Sequence, residues 1–177
     1  MIVSVENFNT YTGNCETQPA IVEMKKVYLK TAEEVVVSYL GFNPVESERS
    51  QTLSGIGSDR IYPYAYNITD VYSLTVNGVE ISDYEINENY IRLTEGVFPT
   101  GINNVAITYT AGWDDESMPS VIKLTIMQIA SLMMEESEGN IGVTGKSFGD
   151  NSRSFINYTN FDKWLNKLSK YKVFRME

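Results

Sequence analysis

The chain switches its hydrophobic periodicity twice, and this constrains its fold more than any other feature. Apolar residues recur at helical spacing to about Leu40, alternate with polar ones from about Gln51 to Thr110, and return to helical spacing after Gly112. One element type cannot satisfy both a period of 3.6 and a period of 2. The order predicted is helices, then antiparallel strands, then helices.

Local signals sharpen that outline. Ser4 is a suitable N-cap for a short helix through Phe8 to Tyr11, ended by Gly13-Asn14. A second helix opens near Thr17, with Pro19 in its first turn, where the missing N–H costs nothing. Ile21, Met24, Tyr28, Val35 and Tyr39 are spaced to form its apolar face, leaving Lys25, Lys26, Lys30, Glu33 and Glu34 for the others. Gly41 suits the position after the last turn, and Pro44 prevents continuation. In the middle region, Tyr72, Leu74 and Val76 alternate toward Asn77-Gly78, the strongest short hairpin signal, with Val79 to Ile81 returning. Tyr84 to Ile86, Tyr90 to Leu93 and Val105 to Thr110 read as further strands. After Pro119, Ile122, Ile126, Ile129 and Met133 form one helical stripe, and Met127, Ala130 and Met134 a second beside it. A helix apolar over so wide an arc is packed on two sides, against its own chain or a neighbouring subunit. Gly139 to Asn151 reads as a loop. Phe161, Trp164, Leu165, Leu168 and Tyr171 give a last helix, Asn160 to Lys172, an apolar seam.

The fold class expected is α+β: a mainly helical bundle with an inserted small antiparallel β-sheet or hairpin region. It forms one domain over 1–177, with N-terminal helices in 1–45, the β insertion in 50–112, a long helix in 117–138, a flexible loop in 139–159 and a docking helix and tail in 160–177. A chain of 177 residues is long enough to bury a core without disulfides.

Composition narrows the chemistry. There is no histidine and one cysteine, Cys15, which removes imidazole-based catalysis, histidine-ligated zinc, internal disulfides and iron–sulfur cages. The net charge is −9, against a sequence-reading DNA binder. No signal peptide is expected at the N-terminus, and the apolar run Val121 to Met134 is too short and too interrupted to span a membrane. Synthesis in a reducing cytoplasm is the expectation, and the Asn-x-Thr triplets at Asn67 and Asn157 read as chance matches. Charge is uneven. Residues 153–177 carry six bases and two acids, whereas between Ile61 and Ile122 Arg92 is the only base against nine acids. Such asymmetry suggests a basic tail that docks on a partner or on a neighbour's acidic body.

Three motifs suggest chemistry. Asn140 to Ser147 matches a phosphate-binding loop at Gly145, Lys146 and Ser147, but lacks the first glycine and follows an acidic helix end, so it reads as a loop. Asp114, Asp115 and Glu116 could hold a divalent cation, or could face the positive end of the following helix. Cys15 has no histidine to activate it. The 12 tyrosines and two tryptophans serve a core or subunit interface better than a stacking platform. No catalytic residue, metal site or cofactor is expected.

In serial order, six stretches resemble the small head–tail connector proteins of tailed bacteriophages, also called adaptors or head-completion proteins. They are Val3 to Phe8; Thr31 to Gly41; Tyr62-Pro63 with Ile68 to Val71; Val76 to Gly78; Ile107 to Trp113 with Met118-Pro119; and Ser147 to Ser152. The departure is Asn14 to Pro19, where the family has an Asp-rich helix start. The resemblance implies a non-enzymatic virion protein, typically a dodecameric ring under the portal. The ring extends the DNA channel, lets genomic DNA pass without sequence-specific binding, and presents a surface to the next neck, stopper or tail component. In that arrangement Phe155, Phe161, Trp164, Leu165, Leu168, Tyr171, Phe174 and Arg175 are expected to grip the portal, and Met127, Ala130 and Met134 to form the subunit interface. Asp83, Glu85, Glu88 and Glu95 are expected to face the channel or the next neck protein. Deletion of residues 153–177 is expected to leave a folded protein without portal binding. Two alternatives belong to other classes: a carbohydrate- or surface-binding module using exposed tyrosines, and a nucleotide-binding enzyme using Lys146.

Overall fold

A computed structural model describes residues 1–137, 145–148, 151–154 and 161–173, with side chains to 135 and over 161–173. The chain divides into two compact units. One comprises Met1–Tyr39 and Pro119–Lys170, the other Leu40–Met118 and Tyr171–Glu177.

The first unit is built on helices α1 (Val5–Thr12), α2 (Pro19–Leu40) and α3 (Ser120–Ser137) and the short α4 (Asp162–Leu165), which tightens into a 3-10 segment, Asn166–Tyr171. Ser4 caps α1 by accepting the Asn7 N–H, and Gly13, at φ 70°, ends it. The buried face of α2 is not the one its apolar spacing predicts. Lys25, Leu29, Ala32, Val36 and Leu40 point inward, while Met24 is exposed. Both faces hold enough apolar residues to satisfy helical periodicity, so packing decides between them. On α3 the buried residues are Ile122, Thr125, Ile126, Ile129, Ala130 and Leu132. Strands β8 (Gly145–Phe148) and β9 (Asn151–Ser154) pair as an antiparallel hairpin where the glycine content predicts loop.

The second unit corrects the expected fold class. The chain is not a mainly helical bundle with a small β insertion. Seven strands form two antiparallel sheets with their own core: β1 (Ser47–Gly55), β2 (Arg60–Ile61), β3 (Ile68–Val76), β4 (Val79–Glu80), β5 (Tyr84–Ile86), β6 (Ile91–Leu93) and β7 (Gly101–Ala111). One sheet has the order β1-β7-β3-β4, the other β2-β6-β5. Leu53, Ile61, Leu74, Ile91, Val105, Ile107 and Tyr109 from both sheets, with Phe98 from the β6–β7 connection, are buried. The expected β region starts too late, because β1 (Ser-Glu-Arg-Ser-Gln-Thr-Leu-Ser-Gly) carries almost no hydrophobic signal. It is an edge strand, held by its ladder to β7 from Ser47↔Ala111 to Leu53↔Val105. Asn77 (φ 52°) and Gly78 (φ 79°) both take the left-handed conformation that the two-residue β3–β4 turn requires.

Candidate interaction surfaces

The C-terminal seam reaches this fold as core, not as a free grip. Trp164, Leu165 and Leu168 are buried, and Phe161 is half-buried. Tyr171 belongs to the β unit, where its ring meets Trp113 edge-on at 5.4 Å and Tyr66 edge-on at 5.6 Å. Tyr66 stacks on Trp113 at 5.9 Å, and Phe42 lies 6.3 Å from Trp113. The Val173 N–H donates to the Leu40 carbonyl at 2.8 Å, which fixes Val173 beside Gly41. Phe155, Phe174 and Arg175 lie outside the described residues. Deleting 153–177 would remove buried residues, so the folded truncated protein expected from the sequence is not compatible with this packing.

The interface stripe on α3 also divides. Met127 and Met134 are half-buried, whereas Ala130 has no exposed surface and serves the core. Exposed apolar surface on this unit occurs elsewhere, at Met24 and Val27 on α2 and Leu124 on α3. Sequence reasoning missed the α2 pair because it assigned Met24 to the core face.

The acidic positions Asp83, Glu85, Glu88 and Glu95 are all exposed but differ in environment. Glu85 lies 3.9 Å from the Arg92 guanidinium, which reaches Asp59 at 2.9 Å. Glu88 accepts the Tyr66 hydroxyl at 2.8 Å. Asp83 and Glu95 join Glu80 around an open groove of about 480 Å³, over Ile81 and Leu93. A second groove, about 210 Å³, lies beside β1 and includes Leu53, Ile56, Arg60, Ile61 and Tyr62. The Arg60 guanidinium of this groove also sits 4.9 Å over Tyr90, whose ring is 5.8 Å from Tyr62.

The remaining motifs have structural explanations. Lys146 lies within β8, not at a strand-to-helix turn, so it lacks the setting of a phosphate-binding loop. Asp114 accepts the Ser117 N–H at 2.6 Å and closes a local turn ahead of α3. Among the described residues, no group of three or more His, Cys, Asp or Glu is arranged to hold a metal ion. Among them too, no helix is long and apolar enough to cross a membrane. Cys15 is exposed.

Two phenols of the β unit carry a pH dependence. Burial pushes Tyr66 up to about 12, helped by its hydrogen bond to the negative Glu88. Burial also pushes Tyr109 up to about 12, against a smaller opposing effect of Arg49. Each phenol ionises more readily in the unfolded chain than in the folded one. Its stabilisation is therefore fully present below about pH 10 and is lost as pH rises through about 12. The melting temperature should fall across that window, and the Tyr66→Phe/Tyr109→Phe variant should fall less steeply when melted over the same series.

No protein-family model matches the chain, and no curated protein does. Solved structures do match its fold. A chain from the neck of an empty gene transfer agent (GTA) particle, computed with C6 symmetry, superposes with a TM-score of 0.61 at 12% identity, covering 99% of this chain and 92% of the other. A chain from the neck of the native particle, computed with C12 symmetry, gives 0.58 at 11% identity, covering 98% and 90%. A chain of the native virion gives 0.62 at 11% identity, covering 99% and 92%. The likeness therefore extends over both units and nearly the full length of the neighbours.

Proposed function

We propose that this chain is a structural, non-enzymatic neck protein of a tailed phage-like particle. Copies of it form a ring, typically of twelve, that continues the DNA path below the portal and presents a surface to the next neck or tail component. One observation carries the reading: a whole-chain fold match to chains of particle necks computed with C6 and C12 symmetry. The serial resemblance to head–tail connectors agrees with it.

The physical chemistry suits the role. Nine acids and one base between Ile61 and Ile122 make the β unit repel a passing duplex, with Glu85 and Glu88 among the channel-side candidates. Met24, Val27 and Leu124, with the half-buried Met127 and Met134, supply apolar surface for packing between copies. The portal contact falls to Phe155, Phe174 and Arg175, because Trp164, Leu165 and Leu168 are already buried in the chain's own core. The particle neck is then its location, after synthesis in the host cytoplasm.

Co-expression with the portal protein encoded in the same genome, followed by negative-stain imaging, tests the reading. The expected result is a ring stacked coaxially on the portal. A monomer that never co-purifies with portal, at any salt concentration, would overturn it. A carbohydrate- or surface-binding module is the second reading, favoured by the partly exposed Tyr62 beside Tyr90 and Arg60. Hits on a glycan array that disappear in Tyr62→Ala would support it over the ring.

A further inference from the structure

The proposed ring needs a heterologous joint, in which one patch of each copy meets a different patch of the next. Two patches on this chain are chemically complementary. The first is the groove between the β4 end and the β5–β6 hairpin, where Glu80, Asp83 and Glu95 stand around Ile81 and Leu93. Among the described residues none of these three carboxylates takes part in an ion pair, although Asp59 and Glu85 do. Val79, next in sequence to Glu80, is an exposed apolar residue, at 65% exposure. The groove does not have a metal-binding arrangement. Its shape and charge suit a row of long cationic side chains, whose ammonium heads meet the carboxylates while their methylene stems cover the apolar floor.

The second patch is such a row. On α4 and the 3-10 segment that continues it, Trp164, Leu165 and Leu168 are buried, and Lys163, Lys167 and Lys170 occupy the exposed face. Lys163 stands on α4 and Lys167 four residues on, in the 3-10 segment, where Lys170 follows it one 3-10 turn later. The surrounding segment, 153–177, is the basic part of an otherwise acidic chain.

We propose that the lysine row of one copy docks into the carboxylate groove of a second copy and forms the head-to-tail joint of the ring. This inference rests on the ring reading and adds which surfaces meet. Because the patches are distinct, each copy can give one and receive one, so the contact propagates around a closed ring.

Charge reversal tests it on the full-length chain. A groove variant (Glu80→Lys, Asp83→Lys, Glu95→Lys) and a row variant (Lys163→Glu, Lys167→Glu) should each weaken self-association by about a hundredfold, through like-charge contact at the joint. Mixing them should restore assembly as an alternating ring, since each joint again pairs opposite charges. Mass photometry and negative-stain imaging read both outcomes. Disulfide trapping covers a variant that fails to fold. In a Cys15→Ser background, Asp83→Cys mixed with Lys167→Cys should give a cross-linked heterodimer in preference to either homodimer. Reversal variants that form rings as the unmodified chain does, or cysteines that give no heterodimer while rings persist, would overturn the joint and leave the ring standing. An unmodified chain that forms no ring, alone or on the portal, would overturn both.

Discussion

Gly112→Ala should destabilise the β unit by about 3 kcal/mol or more and lower its melting temperature by roughly 10 °C. Gly112 follows β7 at φ 106°, a conformation that side chains rarely adopt. Space is missing as well. A Cβ there would lie 2.7 Å from the carbonyl carbon and oxygen of Val45 and 2.8 Å from the Glu46 nitrogen, all backbone atoms. These atoms cannot rotate away, because the Glu46 N–H bonds the Trp113 carbonyl and the Trp113 N–H bonds the Pro44 carbonyl. The Gly112 carbonyl is itself held by the Asn67 side-chain amide at 2.6 Å. Gly78→Ala is the control. Its φ of 79° imposes strain, but no atom lies within 4 Å of the added methyl, so it should cost only about 1 kcal/mol. Urea unfolding of both variants measures the difference. Equal costs would mean that the clash at Gly112 is relieved by movement of the Val45 segment.

Lys25→Met should cost about 2–3 kcal/mol, whereas Lys26→Met, one residue on, should be nearly neutral. Lys25 is 1% exposed, and its ammonium is held by three neutral oxygens: Asn9 Oδ1 at 2.6 Å, the Asn14 carbonyl at 2.8 Å and Asn14 Oδ1 at 3.2 Å. Its three N–H donors are thus matched by three acceptors, which ties α1 and the α1–α2 connection to α2. Methionine fills the space but leaves Asn9 Oδ1 and the Asn14 carbonyl without the ammonium donor, while Asn14 Oδ1 keeps only the Glu16 N–H at 3.1 Å. Among the described residues Lys26 pairs only with exposed Glu23 three residues earlier, an arrangement worth little in water. Chemical unfolding of the two variants provides the test. A stabilised Lys25→Met would mean that desolvation of the ammonium outweighs its three bonds, as can happen with buried charges.

Local chemistry made several elements legible. Ser4 as a cap, Gly13 as a stop, Pro19 opening α2 and Asn77-Gly78 as a two-residue turn depend only on dihedral preferences and the nearest backbone groups. The stripe Ile122, Ile126 and Ile129 was legible for the same reason, since helical spacing alone brings these residues to one face. The acidic candidates were readable as exposed charges, but not their environments. Glu88 receives a hydroxyl from Tyr66, 22 residues away, and Asp83 shares a groove with Glu80 and Glu95 only because of strand pairing.

By itself, then, the sequence determined the helices α1 to α3 and the β3–β4 turn, with their caps and stops, and the opposed charges of the middle region and the C-terminal segment. Each follows from a few adjacent residues. Tertiary structure alone decided the rest. It turned Lys25 inward although its neighbours in the sequence mark it as a surface residue, because Asn9 and Asn14 supply acceptors that no periodicity encodes. It made the polar stretch Ser47–Gly55 a strand, because the long β7 ladder satisfies backbone groups that weak local propensity leaves open. It buried Trp164, Leu165 and Leu168 in the chain's own core, leaving Lys163, Lys167 and Lys170 outside. Those choices depend on which distant groups come into contact, and contacts between distant groups are settled only when the whole chain packs.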